Sequence, residues 1–157
     1  MSHDPDPVVR DAAARLQAAL VEAASWPFKC RVSFENLDRQ RETLGFVYAE
    51  LTGTSLPDRP ELDDYWTTYW LGPAGGGLRT EFETGNYGLG FTLTRYALLV
   101  GDEAWVWTDD EEHDNCGPQG GDFLVNARSP EGLERVVAAL VAWHAAKGVT
   151  SFQRETR

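Results

Sequence analysis

Residues 89–108 read Leu-Gly-Phe-Thr-Leu-Thr-Arg-Tyr-Ala-Leu-Leu-Val-Gly-Asp-Glu-Ala-Trp-Val-Trp-Thr. β-Branched and aromatic side chains dominate the stretch, and Gly101-Asp102 interrupts it with a hairpin-turn signal. It predicts a long strand over Leu89–Val100 that returns as a second strand over Ala104–Thr108, with Trp105 and Trp107 on one face. The alternation changes phase near Arg95, which predicts a bulge there.

Leu78, Thr80 and Phe82 alternate with Arg79, Glu81 and Glu83, so the preceding segment is another strand, joined through the turn Thr84–Gly88. Downstream, Asp109–Asp122 reads as a long acidic loop and Phe123–Ala127 as a short strand. Nearer the N-terminus, Phe28, Cys30, Val32 and Phe34 alternate with Lys29, Arg31, Ser33 and Glu35, the pattern of a half-buried strand. Leu44–Thr52 reads as its antiparallel partner, with Phe46 and Tyr48 as large strand side chains. The segment 61–71 is two-sided. Leu62, Tyr65, Trp66, Tyr69 and Trp70 have helical spacing, but Tyr-Trp-Thr-Thr-Tyr-Trp is strand chemistry. The glycine-rich Gly72–Gly77 that follows favours a hairpin.

Helices bracket these strands. Val9, Ala12, Leu16, Ala19, Leu20 and Ala23 recur at helical spacing within Pro5–Ala24, an alanine-rich stretch with acids at its start. Near the C-terminus, Ser129 is an N-cap, Pro130 suits the first helical position, and Leu133, Val136, Val137, Leu140, Val141 and His144 form one stripe up to Gly148. The fold class is α+β: a mostly antiparallel meander sheet of about five to seven strands, with the N-terminal and C-terminal helices packed on one face and the other face partly open. No repeat or linker divides the 157 residues, so 1–157 is read as one domain with frayed ends at 1–6 and 154–157.

The net charge of −11 is unevenly spread. Asp58–Asp122 holds 14 carboxylates against three arginines, while the flanks balance at −2 and +2. This disfavours nucleic acid and anionic membrane and favours a basic protein partner. No apolar run approaches the ~20 residues that span a bilayer. Met1–Pro7 lacks the basic and apolar parts of a secretory signal. The two cysteines, Cys30 and Cys116, are too few and too far apart for a disulfide framework, so the expected location is cytoplasmic.

Three features invite a functional reading. The first is Asp109-Asp110-Glu111-Glu112-His113-Asp114-Asn115-Cys116. Its spacing misses the EF-hand pattern, and His113 with Cys116 gives too few ligands for a transition metal, so no metal and no cofactor are expected. Acidic neighbours raise a thiol pKa, which opposes a catalytic Cys116. The second is the glycine-rich 72–77, which leads into a strand rather than a helix and so does not cradle phosphate. The third is the aromatic set Tyr65, Trp66, Tyr69, Trp70, Trp105 and Trp107, which either fills the core or forms a binding surface. His3 and His144 lack a catalytic constellation and read as solvated or structural.

The expected function is that of a non-enzymatic binding protein that offers an acidic, aromatic surface to a basic partner. The partner-binding set is Asp109, Asp110, Glu111, Glu112, Asp114, Trp105, Trp107, Trp66 and Trp70. Immunity proteins, antitoxins and secretion chaperones share this description of size and surface. The alternative is a small-molecule binder or small enzyme with a pocket between sheet and helices.

Overall fold

The computed structural model describes residues 6–35, 40–86, 89–113, 117–119 and 122–157, with backbone alone for 82–93 and 109–119 within those limits. Helix α1 (Pro7–Ala23) starts at Asp6, whose carboxylate accepts from the Val8 N–H at 2.9 Å, and Pro7 occupies the first turn. Strand β1 (Phe28–Phe34) follows, then α2 (Gln40–Thr52). A long antiparallel run comes next: β2 (Leu62–Asp64), β3 (Thr67–Gly72), β4 (Gly75–Asn86), β5 (Leu89–Val100) and β6 (Ala104–His113). The chain closes with β7 (Gly117–Gln119), β8 (Phe123–Ala127), α3 (Pro130–Ala146) and β9 (Phe152–Thr156). Ser129 caps α3, its hydroxyl accepting from the Gly132 N–H at 3.0 Å.

The strands form one sheet in the order β2-β3-β4-β5-β6-β8-β1-β9, with β7 paired to the far end of β6. All of the pairings are antiparallel. The α+β class and the terminal helices are as the sequence predicts; the nine strands among the described residues exceed the expected number.

Several expectations are corrected. Leu44–Thr52 is helical, not a strand: Leu44, Val47 and Tyr48 are buried at helical spacing, and the phenyl and phenol rings had made the segment resemble a strand. The partners of β1 are therefore β8 and β9, both distant in sequence. No bulge occurs at Arg95; the β4–β5 register is one-to-one from Gly75↔Val100 to Asn86↔Leu89. The phase change arises because Ala97, Leu98, Leu99 and Val100 are all buried, so both faces of β5 are covered there. The segment 109–113 extends β6 rather than opening a loop. At the C-terminus Glu155 pairs with Arg31, Thr156 with Cys30, and the Arg157 N–H donates to Lys29 O at 3.2 Å.

The helices do not share one face. Alternate residues of β5 divide the core in two. Leu98 and Val100 join Trp70, Val106 and Val125 beneath α2 and α3, which contribute Val47, Tyr48, Val136 and Leu140. Ala97 and Leu99 join Leu62, Tyr69, Leu78 and Trp105 beneath α1, which contributes Ala13, Leu16, Leu20 and Ala23. The sheet is thus sandwiched, because β5 and β6 carry apolar side chains on both sides.

The β3–β4 turn needs glycine for close backbone approach. Gly75 has φ +110°, and a Cβ there would lie 2.0 Å from Leu99 O.

Candidate binding surface

Strands β2 and β3 form a short hairpin at one edge of the sheet. Its base is fixed by Leu62, buried opposite Tyr69, whose hydroxyl donates to Gln17 Oε1 on α1 at 3.3 Å. Asp64 pairs with Thr67, which leaves Tyr65-Trp66 as a two-residue turn. Tyr65 has φ 54°, alone among the described non-glycine residues in the left-handed region. Turns of this type prefer Asn or Gly, and a bulky side chain there costs ~1–3 kcal/mol. The Glu81 N–H donates to Trp66 O at 2.9 Å and ties the tip to β4. Tyr65 is 98% exposed and Trp66 58%. Glu61, Asp63 and Asp64 of the same segment are exposed as well, and Asp63 accepts from the Thr68 hydroxyl at 2.8 Å. The result is an acidic hairpin that holds two rings in water.

The aromatic set therefore splits three ways. Trp66 is at the exposed tip. Trp70 is buried on the α2/α3 face, with the Arg41 guanidinium 4.9 Å from its ring centre. Trp105 is buried on the α1 face, stacked on half-buried Trp107 with centroids 5.7 Å apart. Trp70 and Trp105 are held in the core, on opposite faces of the sheet, and half-buried Trp107 packs against the α1 side.

Asp109, Asp110, Glu111 and Glu112 lie on β6, opposite Arg95, Thr94, Leu93 and Thr92 of β5. Their side chains, and all of Asp114, Asn115 and Cys116, lie outside the described residues. Among the described residues no group of three His, Cys, Asp or Glu side chains is placed to hold a metal.

Tyr65, Glu61, Asp63 and Asp64 stand outside the binding set expected from the sequence. The signal was present as an Asp-Asp-Tyr-Trp-Thr-Thr turn between two strand-like halves, but no glycine or asparagine marked it.

His3 and the His113 side chain lie outside the described residues, and His144 and Cys30 are buried. His144 is buried, its Nδ1 2.7 Å from Leu140 O, and its ring stacks on Phe34 with centroids 3.6 Å apart. Burial holds its pKa below the usual histidine value. Cys30 is a buried free thiol, pushed up by burial and partly offset by Arg154 and Arg157. An open groove of 340 Å³ between α2 and α3 is lined by Glu50, Leu51, Arg135, Ala138, Ala139 and Ala142. Its guanidinium is already engaged, with Arg135 bonded to Glu103 at 2.8 and 3.0 Å and to Leu51 O at 3.2 Å. It lacks the convergent polar groups of a ligand pocket.

No described helix is long and apolar enough to cross a membrane. Compared with known protein families and with curated proteins, the chain matches none.

Proposed function

We propose that this chain is a non-enzymatic binding protein whose β2–β3 hairpin engages a basic protein partner. The observation that carries the reading is the Tyr65-Trp66 tip, held in water by a strained turn and flanked by Glu61, Asp63 and Asp64. Exposed aromatic anchors supply contact area at low entropic cost, and the carboxylates steer a cationic surface toward them. Backbone strain retained at an exposed position is characteristic of sites selected for contact rather than for stability.

The concentration of negative charge in Asp58–Asp122 supports the same reading and disfavours nucleic acid. An immunity-, antitoxin- or chaperone-like role in a reducing cytoplasm fits this description. The small-molecule alternative has less support, since the open α2–α3 groove offers no free convergent polar groups. The test is retention of a basic protein by the wild-type chain and its loss in Tyr65→Ala/Trp66→Ala, measured across increasing salt. Equal retention by both forms would refute the assignment.

A further inference from the structure

Strand β9 ends the sheet beyond β1, and its outer side is an open edge among the described residues. All five of its residues, Phe152–Thr156, are exposed. A strand whose side chains stay mostly in water gains little from burial, so its ladder and its side-chain ties hold it. The ladder runs from Phe34↔Phe152 to Cys30↔Thr156 and ends with the Arg157 N–H on Lys29 O. Phe152 packs on Phe34, with centroids 5.7 Å apart. Arg154 forks onto Glu134 of α3, at 2.8 Å to Oε2 and 2.5 Å to Oε1. Arg157 Nη2 donates to Val125 O at 3.1 Å.

The connection from α3 is built to bend. Residues 147–151 lie outside helix and strand. Gly148 takes φ +85°, its N–H donating to Ala145 O at 3.0 Å, and the Val149 N–H donates to His144 O at 2.9 Å. These bonds fix the end of α3 and leave 150–151 as the free link. Strand β1 keeps its place without β9. Its other edge pairs with β8 from Phe28↔Ala127 to Val32↔Phe123, and Cys30 and Val32 sit in the core beneath α2 and α3. What β9 covers is the outer flank of Cys30, a free thiol that is 1% exposed. Thr156 lies directly opposite Cys30, and Arg154 one diagonal step away on the same face. Burial pushes the thiol up, and the Arg154 guanidinium beside it pulls it part of the way back.

We propose that β9 is a strap that opens as a unit about 150–151 while the rest of the sheet stays folded, uncovering the edge of β1 and the flank of Cys30. The Arg154–Glu134 pair is its clasp. Iodoacetamide labelling of Cys30 in the wild-type chain reads the opening, with the modified peptide separated by mass spectrometry from that of Cys116. Below the unfolding transition, the labelling rate is expected to rise with urea at roughly half the slope of global unfolding or less, because opening β9 exposes only part of the surface that unfolding exposes. Glu134→Gln removes the clasp and is expected to raise the rate about threefold. Asp11→Asn, which breaks the exposed Arg15–Asp11 pair on α1, leaves the rate unchanged. Leu99→Ala truncates a buried side chain on the α1 face, lowers the midpoint of global unfolding and leaves labelling unchanged. A urea slope equal to that of global unfolding, acceleration by Leu99→Ala, or equal rates in Glu134→Gln and wild type overturns the strap.

Discussion

Trp70 and Trp105 lie on opposite faces of one sheet, Trp70 against α2 and α3 and Trp105 beneath α1. A single surface cannot present both. The acidic middle segment thus divides its tryptophans between two cores and one exposed tip, and this division gives different outcomes for changes at each.

Trp70→Ala and Trp105→Ala each empty a buried indole site and are expected to cost about 3–5 kcal/mol. Trp66→Ala removes a ring that is 58% exposed and is expected to change stability by about 0.5 kcal/mol or less. Urea denaturation of the three variants checks the ordering. Trp66→Phe should also remove the emission most accessible to acrylamide.

The legible parts of this fold were those written in local periodicity. The β5–β6 hairpin and both terminal helices follow from side-chain spacing and caps within a few residues of each other. The strands of the Asp58–Asp122 segment were half legible: Tyr65, Trp66, Tyr69 and Trp70 repeat at helical spacing, and cross-strand pairing with β4 decides for strand. Helix α2 was missed because Phe46, Val47 and Tyr48 are strand formers by propensity, and burial against the sheet overrode that preference. Continuation of β6 through Asp109–His113 was hidden because acidic residues are depleted in strands. The placement of α1 on the face opposite α3 is a long-range fact with no local signature. Of the binding surface, Trp66 was legible as an aromatic, but its exposure depends on the turn at Tyr65.

Asn126 is buried on β8 and donates through Nδ2 to Ala23 O at 3.2 Å and Ala24 O at 3.0 Å, closing the C-terminal end of α1. Its Oδ1 accepts from Arg157. Asn126→Ala is expected to cost about 1–3 kcal/mol, because carbonyls of α1 and a donor of Arg157 lose their partner together. Hydrogen exchange should show the last turn of α1 opening first.

His144 links stability to pH. Its folded pKa lies below the unfolded value, so the unfolded chain binds the proton more readily. Its contribution is fully present above pH ~6.5, the unfolded value, and is lost as pH falls through the depressed folded pKa. Denaturant titrations at a series of pH values should show this loss, and His144→Leu should flatten that part of the profile.

Gly75→Ala brings a methyl within 2.0 Å of Leu99 O at a φ of +110°. The strain at both the backbone angle and the contact predicts a loss of more than about 2 kcal/mol. Thermal unfolding of Gly75→Ala beside Gly53→Ala, where a Cβ meets nothing within 4 Å, separates the contact from the angle.

The proposal of a partner-binding hairpin is tested most directly by comparative capture from native extract. Immobilised wild type and Tyr65→Ala/Trp66→Ala, both confirmed as folded, are loaded at low salt and eluted along a salt gradient. A basic protein that wild type retains, that salt releases and that the double variant fails to hold is the predicted result. Retention of the same proteins by both forms, or retention that salt does not weaken, would contradict it.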